Sequence, residues 1–413
     1  MKTIAISISP NTETKDIFLA LKLLFSPWVF FRGDYTRRLE QWFRSYFNVS
    51  YAVAFNSGRS SLFAILKALN IGKGDEVILQ AFTCVVVPNV VIASGAMPIY
   101  TDINESLTMD IKDFEAKITK KTRAVIVQHT FGIPADMTSI KKIARKYKIA
   151  VIEDAAHTIG GTLEKDKLGT LGDAGFFSFG RDKAFSSVFG GIAITKDKQL
   201  GKRIREYQKK LNNPSFFWTL QQLLHPIAFA IILPLYDILY IGKIILVIAQ
   251  KIKLLSIPVS SQEKKGKYSF LSAKKIPNSL ACLALFQLRR IKEFSMNREA
   301  ISNIYINGLS SKDISVPYKE NIPFLRFPIF FKRREELIIF LRQKGIYVGK
   351  WYSEIIDPKG VNFDRICYKK GSCPNAQYYA QKIINLPTYP KMRINDALLI
   401  KDLINKYVND KRN

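Results

Sequence analysis

A lysine among small and aromatic residues is the side chain of this sequence best suited to covalent chemistry. Lys183 closes the segment Gly172–Lys183 and is followed by Ser186, Ser187 and a pair of glycines. Burial in such surroundings lowers the pKa of a lysine amine, and the neutral amine is a nucleophile toward an aldehyde. Most lysines are solvated surface groups, so position alone leaves both interpretations open.

A second segment brings carboxylates to the end of a predicted strand. The apolar run Val151–Ile152 is followed by Glu153, Asp154 and, three residues later, His157. A carboxylate at such an end lies where open α/β sheets bind ligands, and it keeps a pyridine nitrogen protonated so that the ring accepts electrons. The alternative for Asp154 is an N-cap of a following helix.

Two further segments suit a binding pocket. Asn56–Ser61 places hydroxyls and a glycine directly before a predicted helix, where unpaired backbone N–H groups and the helix dipole favour a phosphate. A serine-rich helix cap is the more common role of such a segment. The run Gln128–Met137 combines a strand end with a turn and is predicted to line the same pocket.

The elements that must position these residues form a predicted α/β domain. From about Tyr35 to Asp197, short apolar runs alternate with helical segments, which is typical of a largely parallel sheet. Helices are predicted at Ser60–Leu69 and Met137–Tyr147. The predicted strands are Glu76–Leu79, Met97–Tyr100, Ala124–Val127, Ala150–Ile152, Gly175–Phe179 and Gly191–Thr195.

A smaller second domain is predicted in the C-terminal third of the chain. A helix at Ser279–Phe294 precedes it, and its own pattern predicts strands at Phe324–Phe330 and Tyr347–Gly349 with a helix at Arg333–Lys344. The predicted organisation is a large α/β domain over 1–210, an apolar insertion over 211–270, and a returning helix with the small domain over 271–413.

The insertion contains a strongly apolar run, Pro214–Gln250, whose only charges are Asp237 and Lys243. A spanning helix needs ~20 consecutive apolar residues, whereas the charges and two prolines divide this run into pieces of about a dozen. Basic residues flank both ends, which predicts that both ends lie on the cytoplasmic side. This arrangement suits a re-entrant hairpin or a helix pair lying in the interface with anionic lipid. Packing on the enzyme's own surface or in a dimer interface is the alternative, and the sequence leaves both open.

Taken jointly and in this order, the segments around Gly58, Asp154 and Lys183 resemble the DegT/DnrJ/EryC1/StrS family of sugar aminotransferases, which depend on pyridoxal 5'-phosphate (PLP). Supporting matches lie at Gly72–Ile78, Phe82–Thr83, Tyr100–Asp102, Pro134–Met137 and Leu386–Pro390. The resemblance implies a fold type I PLP-dependent transferase, with a mostly parallel sheet flanked by helices in the large domain and a smaller C-terminal α+β domain.

The resemblance also implies roles for individual residues. Lys183 would hold PLP covalently and later move a proton between the two substrate carbons, and Asp154 would pair with the pyridine nitrogen. His157 matches a position near the phenolic oxygen of the cofactor, and Ser178 matches a phosphate-binding serine. Lys183 and Asp154 are therefore the predicted catalytic residues.

Other implied positions depart from the family pattern. Gly58, Arg59 and Ser60 match the phosphate loop, with an arginine where the family usually has threonine. Cys84 stands where many relatives place an aromatic residue that stacks on the PLP ring. The family's Asn-Tyr-Arg motif, which reaches the site from the partner subunit, is not found around residues 272–275.

The implied function is transfer of an amino group from an amino acid, by analogy glutamate, to a nucleotide-linked keto sugar in surface polysaccharide or amino-sugar biosynthesis. A homodimer is implied because the active sites of the family lie at the subunit interface. The alternatives are a catalytically idle, membrane-associated scaffold and a PLP-dependent sugar dehydratase. Lys183 argues against the dehydratase, since those relatives replace the lysine with histidine.

Composition restricts the class of partner and the compartment. The 413 residues are 47% hydrophobic and carry a formal net charge of +29, which suits an anionic nucleotide sugar or lipid. No nucleic-acid-binding module is recognisable, so nucleic acid is not a predicted partner. Four cysteines and an N-terminus without a signal-peptide core predict a cytoplasmic protein. The apolar run within 214–250 and its basic flanks leave open an association with the inner face of the membrane. No metal site is predicted, because Cys367 and Cys373, which lie close together in the chain, have no nearby histidine.

Overall fold

The computed structural model describes residues 4–6, 11–236, 241–267, 273–309 and 311–410. Asp237 and Ser272 of the segments discussed above lie outside these ranges. The strands of the described ranges are β1 Ile4–Ala5, β2 Tyr51–Phe55, β3 Glu76–Gln80, β4 Thr83–Cys84, β5 Met97–Thr101, β6 Thr122–Gln128, β7 Ala150–Asp154, β8 Thr162–Leu163, β9 Asp166–Lys167, β10 Ala174–Ser178, β11 Gly191–Thr195, β12 Ile314–Ser315, β13 Phe327–Phe331, β14 Ile346–Tyr347, β15 Ile356–Asp357 and β16 Ile383–Leu386.

Helices connect these strands and pack on them. Their bounds in the described ranges are α1 Thr14–Leu24, α2 Tyr35–Phe47, α3 Gly58–Ala68, α4 Val86–Ser94, α5 Ile111–Ala116, α6 Met137–Tyr147, α7 Lys198–Lys209, α8 Phe216–Ile232, α9 Ile241–Lys251, α10 Ser261–Lys264, α11 Asn278–Leu288, α12 Ile291–Gly308, α13 Arg334–Gln343, α14 Pro374–Lys382 and α15 Ile394–Asp410. Short 3-10 turns occur at Pro27–Val29 and Thr130–Gly132.

Within the described ranges, a seven-stranded sheet forms the centre of the large domain, in the order β2-β11-β10-β7-β6-β3-β5. Its strands run parallel except β11, which is antiparallel to both neighbours. Alternate residues of β3 enter different cores: Val77 and Leu79 pack with α3 and α4, whereas Ile78 packs with α6. The sheet is therefore covered by helices on both faces, as its apolar strands require.

The sequence located most elements of this domain correctly. Each predicted strand is present with ends shifted by at most two residues, and the helix Met137–Tyr147 has the predicted bounds. The single helix predicted at Ser279–Phe294 is wrong, because the segment forms α11 and α12 with a break between them. Arg290 at this break turns toward α1 and donates to Asp16 Oδ1 at 2.6 Å, and the apolar residues on either side continue without marking the break.

A separate core lies in the C-terminal part. The antiparallel strands β12, β13 and β16 pack with α12, α13 and α15 around residues such as Phe327, Ile384 and Ile400. Thr388 of the segment Leu386–Pro390 donates its hydroxyl to the carbonyl of Phe324 at 2.7 Å. The segment thereby joins β16 to the chain that enters β13.

The insertion forms a helical hairpin. Helix α8 packs on α1 and on α9, and its interior proline, Pro226, is buried. In the described part of the chain, no helix has the length and apolar content that crossing a membrane requires.

Candidate active site

One cavity of about 460 Å³ opens at the ends of β7 and β10 and at the start of α3. The sequence-predicted residues that line it are Gly58, Arg59, Cys84, Asp154, His157, Ser178 and Lys183. Ser60 does not line the cavity: its buried hydroxyl donates to Asn56 Oδ1 at 2.7 Å and stabilises the loop from behind. Segments separated by more than a hundred residues thus meet at one edge of the sheet.

Lys183 is half-buried and lines the cavity with Asp154. Desolvation lowers the pKa of the amine, while the carboxylate of Asp154 opposes that shift. The backbone is held at two points, because the Lys183 N–H donates to the Gly180 carbonyl at 3.1 Å and the Lys183 carbonyl accepts from the amide of Asn11. The backbone that carries the amine is therefore held in place, and the lowered pKa favours the nucleophilic form of the amine.

Asp154 ends strand β7 and is 5% exposed. Its Oδ1 accepts from the Ala156 N–H at 3.0 Å, whereas no described residue donates to Oδ2. Burial raises the pKa of this carboxyl, and the positive charge of Lys183 acts in the opposite direction. No helix begins in the described residues just after β7, so the N-cap alternative for Asp154 does not hold.

His157 has a defined tautomer. Its Nδ1 accepts from the Phe131 N–H at 3.2 Å, which leaves the proton on Nε2. Burial and the charges of Lys183 and Arg326 hold the pKa of His157 well below its usual value, so the ring is neutral. A neutral imidazole with an Nε2–H is a hydrogen-bond donor to an oxygen in the cavity, and the Tyr352 hydroxyl lies 3.4 Å from that nitrogen.

The part of the cavity at the start of α3 is built for an anion. Ser57 caps α3. Gly58, the next residue, packs closely against β10, because a Cβ at Gly58 would lie 3.0 Å from Ser178 Cβ. The unpaired N–H groups of the first turn of α3 and the Ser178 hydroxyl therefore surround the same small volume. The guanidinium of Arg59 turns away from this point and pairs with Glu263 and the Pro258 carbonyl.

Comparison with known proteins decides the family. The model of the DegT/DnrJ/EryC1/StrS aminotransferase family matches residues 11–217 and 247–404. The chain belongs to this family. The predicted resemblance and the predicted PLP-dependent sugar aminotransferase activity are thereby confirmed. The interruption of the match falls on α8 and α9, so this hairpin is not part of the pattern that the family shares.

Relatives of this aminotransferase match it from end to end. GDP-perosamine synthase of Escherichia coli O157:H7 is 27% identical over 412 residues, 97% of this chain and 98% of that protein. The spore coat polysaccharide biosynthesis protein SpsC of Bacillus subtilis is 26% identical over 419 residues, 94% and 93% of the two chains. Among solved structures, S. venezuelae DesV has a TM-score of 0.76 at 23% identity, covering 98% of this chain and 99% of that one. The predicted fold class is confirmed by these structures.

The cavity of the aminotransferase fits PLP by its own chemistry. Asp154 Oδ2 is a buried acceptor without a donor in the described residues, and a protonated ring nitrogen supplies one. The first turn of α3 with Ser178 accepts a phosphate, and Lys183 supplies the amine that bonds to an aldehyde. Cys84 and Ala156 also line the cavity and offer small side chains to a planar ring.

One wall of this cavity comes from the insertion. We name residues 256–264 the strap; Ile257, Pro258, Val259 and Lys264 of the strap line the cavity. Arg59 anchors the strap through Glu263, and Arg181 donates to the Ser256 carbonyl at 2.6 Å. These anchors lie 204 and 75 residues apart in the chain, so no local sequence signal marks them.

Proposed function

We propose that the enzyme transfers the amino group of an amino acid, glutamate by analogy, to the ketone of a nucleotide-linked sugar. The observation that carries this is the convergence of the Lys183 amine, the Asp154 carboxylate and the phosphate-binding turn of α3 on one cavity. The net charge of +29 favours an acceptor that carries a diphosphate. Relatives whose names describe work on nucleotide-linked sugars, including GDP-perosamine synthase, support the same class of acceptor and a role in polysaccharide or amino-sugar biosynthesis.

In this proposal each residue keeps a distinct role. PLP, when bound, supplies an aldehyde that captures amines and a ring that withdraws electrons. Asp154 holds a proton on the ring nitrogen, and His157 donates Nε2–H to the phenolic oxygen. Lys183 Nζ removes the proton from Cα of the donor, and later moves a proton at the sugar carbon that receives the amine.

The binding residues act around these groups. The N–H groups of Gly58 and Arg59 and the hydroxyl of Ser178 bind the phosphate, and Ser60 supports the loop that carries them. Cys84 of β4 and Ala156 would border the ring with their small side chains. The carbonyl product of the donor leaves before the sugar enters, so both half-reactions use the same cavity.

An absorbance titration tests the proposed function. The purified protein with PLP is expected to show a visible band from the Lys183 linkage, and L-glutamate should remove the band as the amine transfers. Addition of a nucleotide-linked keto sugar should then restore it, with the aminated sugar found by mass spectrometry. A protein without the band would be the idle scaffold, and a band that glutamate leaves unchanged would rule out glutamate as the donor.

We further propose that the enzyme is a cytoplasmic homodimer that rests on the inner face of the membrane. The proposed division is a large domain (1–210), an insertion (211–270) and the C-terminal part (271–413). Exposed aromatic residues of α1 and the turn after it, Phe18, Phe25 and Trp28, offer an apolar surface for the second copy. Such residues are enriched where subunits meet.

Helix α9 of the insertion supports the membrane contact, because it exposes its apolar face. Gly242 and Ala249 are its buried residues, and a Cβ on Gly242 would lie 2.3 Å from the carbonyl of Ile232 in α8. The outward stripe at positions i, i+3, i+4 and i+7 is Ile241, Ile244, Ile245 and Ile248, exposed by 37–54%. Exposed lysines accompany this stripe at positions 243, 251 and 253. Isoleucines beside lysines suit the interface of an anionic bilayer.

A flotation experiment tests this contact. The wild-type enzyme is expected to float with phosphatidylglycerol vesicles, and the double variant Ile244→Glu/Ile248→Glu should lose at least ~10-fold in bound fraction, because charged residues partition poorly into lipid. The matched control is Ile339→Glu, whose side chain is 56% exposed on α13, outside the insertion. It should float like the wild type.

The mass of each protein in solution shows whether the exposed stripe of α9 contacts a membrane or a second copy of the chain. All three proteins are expected to have the mass of two chains. Dissociation of the double variant into single chains would assign the stripe to the dimer interface instead, and a wild-type protein that stays unbound to the anionic vesicles would refute the membrane contact.

A further inference from the structure

A buried arginine faces the cavity without a hydrogen-bonding partner in the described residues. Arg326 directly precedes β13 and is 7% exposed, and it lines the cavity beside Lys183. Its guanidinium stacks on the ring of Trp351, 3.5 Å from the centroid. Within the described ranges its one ion-pair contact is Asp182 Oδ2 at 3.9 Å, beyond hydrogen-bond distance.

A buried guanidinium of this kind would be stabilised by an anionic ligand. A buried guanidinium without hydrogen bonds is costly, because it has lost water and gained nothing in return. The other arginines that line the cavity in the described residues are engaged: Arg59 pairs with Glu263, and Arg181 binds the Ser256 carbonyl. Arg326 is therefore the arginine whose planar N–H groups stay available to a ligand, and a carboxylate matches them with two parallel hydrogen bonds.

The position of Arg326 distinguishes between the anions of the reaction. Arg326 lies 3.9 Å from Asp182, the residue that precedes Lys183, so its guanidinium is near the reactive lysine, and its positive charge lowers the pKa of both Lys183 and His157. The phosphate-binding turn at Gly58 and Ser178 has its own donors, the N–H groups at the start of α3 and the Ser178 hydroxyl. The diphosphate of a nucleotide-linked sugar is separated from the reacting ketone by the sugar ring, whereas the carboxylate of an amino acid is bonded to the reacting Cα.

We propose that Arg326 binds the α-carboxylate of the amino-acid donor, held flat by Trp351, and so selects amino acids over simple amines as donors. This deepens the proposed function and rests on it. Binding the carboxylate at Arg326 fixes the rotation of the donor about its Cα and presents the Cα–H to Lys183 Nζ. In the second half-reaction the acceptor has no carboxylate at this point, and Arg326 makes no contact that the sugar requires.

The test compares two probes that differ by a carboxylate. Aminooxyacetate and methoxyamine both displace Lys183 from the cofactor, which is followed as loss of the visible band. In the wild type, aminooxyacetate should react faster than methoxyamine. In Arg326→Met this preference should fall by about 100-fold, because two charge-assisted hydrogen bonds are lost, while the methoxyamine rate stays within about threefold.

Two further variants test whether the effect of Arg326→Met comes from the loss of carboxylate binding. Arg326→Lys keeps the charge without the paired donors and should recover only part of the preference, which a merely structural role would not produce. Arg333→Met, an exposed arginine nearby in the chain, should behave as the wild type. The visible band of each variant before addition of a probe reports whether the folded, loaded site is present.

The outcomes separate this inference from the proposed function. An unchanged preference for aminooxyacetate in Arg326→Met would overturn the inference. Loss of the reaction with the sugar acceptor, with both probes unaffected, would also overturn it and assign Arg326 to the acceptor. A wild type that reacts with the probes as expected but never with a keto sugar would refute the proposed acceptor and leave the role of Arg326 standing.

Discussion

Lys183→Ala is expected to abolish amino transfer, with kcat lower by ~10⁴-fold or more, since the variant loses both the nucleophile and the acid–base group. PLP should still bind through the turn of α3, Ser178 and Asp154, but without the visible band of the lysine linkage. Borohydride treatment followed by peptide mass spectrometry should find the cofactor on Lys183 of the wild type. The variant should carry no label.

The residues around Lys183 explain why the loss of turnover is expected to be specific to this lysine. Lys183 and Asp154 line the same cavity, and the backbone of Lys183 is held by Asn11 and Gly180, so no other lysine takes its place by a local shift. Lys198→Ala, at an exposed position of α7, is the matched control and should keep both band and turnover. Appreciable turnover by Lys183→Ala would remove Lys183 from the mechanism.

Asp154→Asn is expected to lower kcat of both half-reactions by ~10²–10³-fold while PLP remains bound. The substitution keeps the shape of the side chain and its contact with the Ala156 N–H, but it removes the charge that holds a proton on the ring nitrogen. The ring then withdraws electrons less strongly from the carbon that loses its proton. Single-turnover absorbance measurements with glutamate, and then with the sugar, follow each half-reaction separately.

Asp182→Asn is the matched control for charge in the same cavity. Asp182 also lines the cavity, but its ion-pair contact in the described residues is Arg326. The substitution Asp182→Asn is therefore expected to lower kcat by less than about tenfold. Equal losses in the two variants would mean that the net charge of the cavity matters rather than a contact to the ring nitrogen. That result would remove the specific role of Asp154.

Much of this site follows from local patterns. Strands such as Gly191–Thr195 are recognisable by their apolar residues, and parallel strands bring their carboxyl ends to one edge, so Asp154 and Ser178 meet the start of α3. The break between α11 and α12 was missed, because both helices bury apolar residues and no local signal marks it; Arg290, at the break, contacts the distant helix α1. Ser60 was placed in the pocket by its position, but its hydroxyl points into the loop.

By itself the sequence determined the chemistry of the protein: the order and spacing of Gly58, Asp154, Ser178 and Lys183 are properties of the chain, and the strands that carry them are encoded by local apolar patterns. Only the tertiary structure decided which residues surround the reactive groups. The strap, the pairing of Arg59 with Glu263 and the stacking of the Arg326 guanidinium on Trp351, without a hydrogen bond from the described residues, depend on contacts between residues far apart in the chain. Periodicity reports which residues are apolar, whereas packing determines which of them face solvent and which charged groups are left for a ligand.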